Sequence, residues 1–559
     1  MPSCFSRNNL AAVFLLLATL AIFTCGNRAM RPDLMEVRNL VTAREMVYDH
    51  HVMVPTMNGE LRLEKPPLPT WIAAAVESLL PDNLGAQRGV AALMAMLWAG
   101  WLYLFALRVT KRRQTALTAL LVFVCCYPVI LHARTATWDI FCHAFMMGSI
   151  YHLYLALYQR CAVWRNFIAA GLLFGLSFMS KGPVSVYALF LPCLIGMMCY
   201  RRPHMRGKWG ALCAGLGVAL CVSLWWYGYL FVFEGESVRQ VVQKESGAWV
   251  NHNIRPWHYY WRFFLETGIW AVLMLTTLVM WLRRFRIYNT HVASQWSFVI
   301  IWLLATVVLL SLLPEKKMRY LLPLMTPCAL SMAFGLDSLA APGKLNTLLF
   351  SVNKWTIGIV ALLLPPVVYY FAVRSGQMSI ALFGAYAIGC LIIALLLFRL
   401  RHADGTHLIT RPVFALVLLT SVVVMPHVGS FFGNPHARSI ATLLRSDKQL
   451  GSLPFVYVNN GDHVFRIDMV YLTRHKIKVM DAAQVFNADT TDFSTSLTMP
   501  CALLIDSATA DVMQRVATAQ DVGLKDYGLF DDNINSRNKS HYKQGLRNRL
   551  IVLKQHTHK

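Results

Sequence analysis

The chain has 559 residues, of which 56% are hydrophobic and only 14% charged, and it carries a formal net charge of +24. A soluble globular protein carries about 25% charged residues, so the composition excludes an ordinary soluble domain and predicts a polytopic membrane protein. No basic stripe with interleaved aromatics accompanies the positive charge, which argues against nucleic acid as a partner and makes the charge a signature of topology.

Apolar segments long enough to cross a ~30 Å hydrocarbon layer as helices recur up to residue 430. They fall near 9–26, 86–107, 115–132, 139–158, 164–180, 183–200, 209–233, 266–282, 295–313, 319–339, 355–373, 377–399 and 411–429, thirteen in all. The first is read as an uncleaved anchor. FTCG at 23–26 has some likeness to a lipoprotein site, but removing this segment would disturb the charge pattern that follows. With the N-terminus inside, the even-numbered spans exit into RVTKRRQ, QRCAVWR, RRPHMRGK, RRFRIYN, APGKLN and RLRHADGTH, all of them basic, as cytoplasmic connections should be. An odd span count then sends everything beyond 430 to the far side. Of the thirteen cysteines only Cys501 lies in that terminal region, and none has metal-ligand spacing, so neither a disulfide framework nor a zinc site is expected.

The first outer loop, 27–85, holds RPDLMEVRNLVTAREM. There Leu34, Val37, Leu40, Val41 and Val47 approximate an apolar stripe, predicting a helix laid along the membrane interface with Asp33 and Glu36 on one face. It continues into LRLEKPPLPTW, where Glu64 and Lys65 stand before a run of prolines. The second outer loop offers Arg134 and Asp139, and the third is little more than Ser180-Lys181-Gly182-Pro183. The fourth, 234–265, contains His252, Arg255, His258 and Tyr259 among aromatics, and the fifth reads LPEKKMRYLLP with Lys316, Lys317, Arg319 and Tyr320. Singly, each has an ordinary account: a snorkelling lysine, a helix N-cap, an aromatic belt. Together they concentrate cations on the side that usually lacks them, which suits an anionic ligand such as a lipid phosphate.

From 430 to 559 the texture changes. PFVYV, IKVMD, ALLID and RLIVLK read as strands and ATADVMQRVATA as a helix, predicting a small α/β domain with a packing or substrate-shaping role. The expected organisation is therefore a transmembrane region, 1–429, and an extracytoplasmic domain, 430–559.

The run Arg44-Glu45-Met46, Val54-Pro55, Asn58-Gly59-Glu60 and Glu64-Lys65-Pro66-Pro67-Leu68 resembles the GT-C glycosyltransferases that use lipid-phosphate sugars. The likeness is nearest to the 4-amino-4-deoxy-L-arabinose lipid A transferases and more distant to the protein O-mannosyltransferases. Asp139, Lys181-Gly182-Pro183 and Arg319-Tyr320-Leu321-Leu322-Pro323 are similar to later features of that family. One departure stands out: where the family has Asp directly before Glu-x-Arg, this chain has Met35 before Glu36-Val37-Arg38, with Asp33 just upstream.

The resemblance implies a GT-C fold with about thirteen transmembrane helices in a bacterial inner membrane, its active site and C-terminal domain periplasmic. It implies transfer of a sugar from a polyprenyl-phosphate carrier to lipid A or another envelope acceptor. Asp33, Glu36 and Asp139 would be catalytic; Glu64, Lys65, Arg134, Lys181, His258, Tyr259, Lys316, Arg319 and Tyr320 would bind substrate. No cofactor is called for, and a divalent metal held by Asp33, Glu36 and Asp139 stays open. Two other readings stand beside this one: protein O-glycosylation from the same donor, and a flippase for an anionic lipid. The flippase would more often keep its charges near the midplane than at one surface.

Overall fold

The computed structural model describes residues 7–159, 162–251, 253–287, 291–431, 433–434, 436–447, 449–461, 464–486, 493, 497–534 and 538–554. His252 lies outside the described residues. The chain divides into two units, one of Met1–Arg28 with Leu63–His427 and one of Ala29–Arg62 with Val428–Lys559.

The first unit is all helix. Among the described residues nine helices are long and apolar enough to cross a membrane, and two more spans are bent pairs, Arg113–Val124 with Tyr127–Ala133 and Trp257–Glu266 with Gly268–Arg284. Two shorter apolar helices, Leu10–Thr24 and Val186–Tyr200, complete the set, and every one of the thirteen expected segments is helical. The breaks have local causes. Pro128 sits at the start of the second half of the first pair, where a missing N–H costs nothing, and the second pair turns by 92° at Gly268, which takes φ +67°. Close packing follows from small residues: a Cβ on Gly171 would run into the Gly215 carbonyl and one on Gly175 into Val222, so Val163–Lys181 and Trp209–Phe233 approach backbone to backbone.

The second unit is an α/β sandwich assembled from both of its stretches. Asn58 and Gly59, both at positive φ, close a short hairpin of β1 (Thr56–Met57) and β2 (Glu60–Leu61), as an Asn-Gly pair does in a two-residue turn. Beyond residue 450 come β3 (Phe455–Asn459), β4 (Ile477–Asp481), β5 (Cys501–Ile505), β6 (Gly523–Asp531) and β7 (Arg547–Lys554). They form one sheet in the order β4-β3-β5-β7-β6, parallel across β4, β3 and β5 and antiparallel at β7 and β6. The four strands expected from sequence are present; the β1–β2 hairpin and β6, which is more polar and less regular, were not expected.

Both sheet faces are covered, which is why β5 is apolar at every position. Tyr457, Ala502, Leu504, Leu550 and Val552 point to one face and Val456, Leu503, Ile551 and Leu553 to the other. The helix Ser507–Ala519 covers the second face with Met513 and Val516. The first face receives Val37 and Val41 of the helix Leu34–Tyr48, which are 2% and 1% exposed. That helix forms as expected, but the stripe expected to meet the membrane interface is instead buried in this unit's core. The sheet supplies an apolar surface, and burying each valine there is worth about 1.5–3 kcal/mol.

Candidate active site

Two charged side chains from different helix ends meet within the helical unit. Asp139 occupies the first turn of Trp138–Tyr158 and Lys181 is the last residue of Val163–Lys181. An acid at a helix N-terminus and a cation at a C-terminus are each favoured by the helix dipole. The two side chains form an ion pair, and both are about 95% buried. Gly182 ends the second helix at φ +68°, ψ −147°, a region open essentially to glycine alone. Pro183 follows, so the chain reverses at once and the lysine stays fixed at the turn.

Against this pair stands the segment 313–324, which ends in a 3-10 turn, Met318–Leu324. The Tyr320 ring lies 6.0 Å from the Lys181 ammonium and 5.9 Å from the Arg319 guanidinium, distances at which a ring face attracts a cation. The Tyr320 hydroxyl donates to Glu315 at 3.2 Å, and Glu315 is also paired with Lys317. Arg319 keeps a buried Nε without a partner. Lys316 is buried with its ammonium on the Leu313 carbonyl, so it serves its own turn.

Several participants were not foreseen. His143 lies one turn beyond Asp139 and Ser185 just past the Gly182-Pro183 reversal, and His143 Nδ1 meets the Ser185 hydroxyl at 2.6 Å. Only His143, at i+4 from Asp139 on the same helix, had a spacing that could have pointed to it. Tyr260, not Tyr259, is the buried tyrosine of the 257–261 cluster. It donates to the Lys317 carbonyl at 3.1 Å and accepts from the Lys317 N–H at 2.9 Å, tying that cluster to the 313–324 segment. Tyr259 stacks with Arg262, 5.3 Å from its ring, and His258 is exposed beside Trp257.

Glu64 and Lys65 form a half-buried bend ahead of the helix Leu68–Leu79, and Glu64 Oε2 is buried without a hydrogen bond. Arg134 donates to the carbonyls of Ile22 and Cys25 at the end of the first helix. It thus satisfies acceptors that a helix C-terminus leaves open, and burial lowers its pKa to about 10.

In the α/β unit, Asp33 is the N-cap of Leu34–Tyr48, its Oδ1 accepting from the Glu36 N–H at 2.8 Å, while Glu36 is fully buried. Glu45, part of the Arg-Glu-Met motif, proves to be an anchor: its carboxylate accepts from the Thr56 hydroxyl at 2.6 Å and from the N–H groups of Asn58 and Gly59 at 2.6 and 3.2 Å. Among the described residues no three His, Cys, Asp or Glu side chains are grouped so as to hold a metal ion.

Residues 64–227, which include the Glu64-Lys65 bend and the Asp139–Lys181 pair, match a family model described as dolichyl-phosphate-mannose-protein mannosyltransferase. An undecaprenyl phosphate-alpha-4-amino-4-deoxy-L-arabinose arabinosyl transferase of Pseudomonas fluorescens is 27% identical over 59% of this chain and 60% of its own. Its counterpart in Aeromonas hydrophila is 24% identical over 66% of each chain, so the alignments span somewhat under two thirds of these relatives. The crystal structure of ArnT from Cupriavidus metallidurans bound to undecaprenyl phosphate has the same fold, with a TM-score of 0.67 over 98% of both chains at 16% identity.

The fold is of the GT-C type, and the family match and the relatives make the chain similar to membrane glycosyltransferases. More narrowly, the chain is similar to the 4-amino-4-deoxy-L-arabinose transferases, as its first-loop motifs implied.

Proposed function

We propose that this protein moves a sugar from a polyprenyl-phosphate carrier to lipid A or a related envelope glycolipid, on the outer face of a bacterial inner membrane. The observation that carries the reading is the buried Asp139–Lys181 pair set against Arg319 and Tyr320. A buried lysine balanced by one carboxylate is a cation held ready, and an arriving phosphate can share it.

The reaction breaks the bond between the sugar's anomeric carbon and the carrier phosphate oxygen, whose electron pair stays with the phosphate. A new bond forms from an acceptor oxygen on the opposite face, with inversion. Lys181, Lys65 and Arg319 stabilise the charge gathering on the leaving phosphate, and preorganised charge of this kind is usually the largest contribution to such a rate. Asp139 orients Lys181. Glu64 positions Lys65 along the proline-stiffened turn. A lipid A phosphate is already ionised and attacks without a base; a hydroxyl acceptor would need a carboxylate such as Asp33 to take its proton.

The match to a protein mannosyltransferase model supports a second acceptor reading, a protein hydroxyl. Proteoliposomes supplied with an undecaprenyl-phosphate sugar, lipid A and a Ser/Thr-rich peptide separate the two. Labelled lipid A from wild type and none from Lys181→Met is the expected result. Label on the peptide alone would overturn the lipid acceptor, and label on neither would overturn the donor as well.

A further inference from the structure

Within the α/β unit, beside the helix Leu34–Tyr48, lies a second feature that the transfer chemistry above leaves unused. It is a cavity of about 560 Å³ walled by that helix, the β1–β2 hairpin and the segments 464–467 and 542–545. That volume falls among small-molecule sites of ~300–1,000 Å³.

Its charge is lopsided. Arg38, Arg466 and Lys543 line it, against the single acid Glu60. Arg466 is fixed from behind by Asp468, which takes Nε at 3.0 Å and a terminal nitrogen at 2.9 Å and is not itself part of the wall. Arg38 is half-buried where it lines the wall. Lys543 is exposed and enters no ion pair among the described residues.

The remaining wall has two characters. Tyr542 and Gln544 offer a ring face and an amide, the groups that hold sugar rings and hydroxyls. Val464, 85% exposed, and Val479, 43% exposed, give the cavity an apolar edge.

We infer that this cavity binds a phosphorylated saccharide, the anionic sugar end of an amphipathic acceptor. The inference rests on the reading that the enzyme glycosylates such a lipid. A guanidinium fork suits phosphate, the ring and amide suit the saccharide, and the valines suit the adjoining acyl chains, which free phosphate would lack.

The test is calorimetric titration of the full chain in nanodiscs with glucosamine 1-phosphate, glucosamine and inorganic phosphate. Undecaprenyl phosphate binding and sugar transfer are measured on the same samples. Glucosamine 1-phosphate is expected to bind, and Lys543→Gln and Arg38→Gln to weaken it about tenfold each, as loss of one charge-assisted bond does, with undecaprenyl phosphate binding retained. Lys543 is exposed, so its variant folds even if the Arg38 variant does not. Equal binding by wild type and Lys543→Gln overturns the site. Inorganic phosphate binding as tightly as the sugar phosphate reduces it to a plain anion site and overturns the saccharide assignment. Transfer with no glucosamine 1-phosphate binding strikes this inference alone; variant-sensitive binding with no transfer to any glycolipid strikes the proposed function instead.

Discussion

Lys181→Met leaves the Asp139 carboxylate buried without its counter-ion. Both side chains of the pair are about 95% buried. Truncating one partner of such a pair costs about 3–5 kcal/mol, chiefly because the remaining charge is stranded, whereas replacing both by groups of similar shape is often neutral. The double variant Asp139→Asn/Lys181→Met should therefore recover most of the stability lost by Lys181→Met, a coupling of about 3 kcal/mol. Thermal unfolding in detergent, followed by intrinsic tryptophan fluorescence, reads that cycle. Activity should behave differently. If Lys181 contacts the leaving phosphate, the single and the double variant both lose about 10²–10³ in rate, the loss typical of one preorganised charge-stabilising group. Recovered stability without recovered transfer is the expected pattern. A double variant that regains both would show that the pair only holds helices together, and additive stability losses would refute the stranded-charge argument itself.

Gly182→Ala puts a Cβ at φ +68°, ψ −147°, and should cost about 1–3 kcal/mol; transfer should fall with stability, and an unchanged melting temperature would contradict the strained-turn account. Glu45→Gln exchanges a carboxylate that accepts three hydrogen bonds for a neutral amide. At about 1.5–3 kcal/mol per bond to a charged group at most, limited proteolysis should cut the 49–62 segment faster than in wild type. Asp532 has its pKa raised, first by burial and against hydrogen bonds from the Ile440 N–H and Arg31. Its protonated form is favoured on folding, so its stabilising contribution is full below the ordinary carboxylate range and is lost as pH rises through the raised folded-state value. Asp532→Asn should then gain stability relative to wild type as pH rises across that window, measured by urea titration, and a relative loss would reverse the sign of the argument.

Much of this was legible in the residues because the membrane is a severe solvent. Only helices satisfy their own backbone there, so thirteen apolar segments had one local structure open to them, and all thirteen adopt it. Asp139 and Lys181 stood out as charges at span ends, and the ion pair joins them. What sequence did not yield depends on which surface a segment meets. The stripe of Val37 and Val41 has the same period whether it lies on lipid or on a β-sheet, and only the fold decides for the sheet. Arg134 looked like a ligand cation, yet two of its donors go to helix-end carbonyls of Ile22 and Cys25. His143 and Ser185 were passed over because a buried histidine in an apolar helix has no pattern of its own until its partner one span away is known.

The α/β unit draws on Ala29–Arg62 and on Val428–Lys559, and this imposes an order in time. The first stretch leaves the ribosome early, and the second follows only after nearly the whole helical set has been made, ~20–70 s later at ~5–20 residues per second. During that interval the Val37–Val41 stripe has no sheet to cover it, and the hairpin at Asn58 lacks β4, whose Ile477 it later bonds in both directions at 2.7 and 2.8 Å. A stop codon anywhere before β3 would make the wait permanent. Nonsense alleles that remove β3 to β7 should therefore act first on the Ala29–Arg62 stretch, by leaving it unfolded.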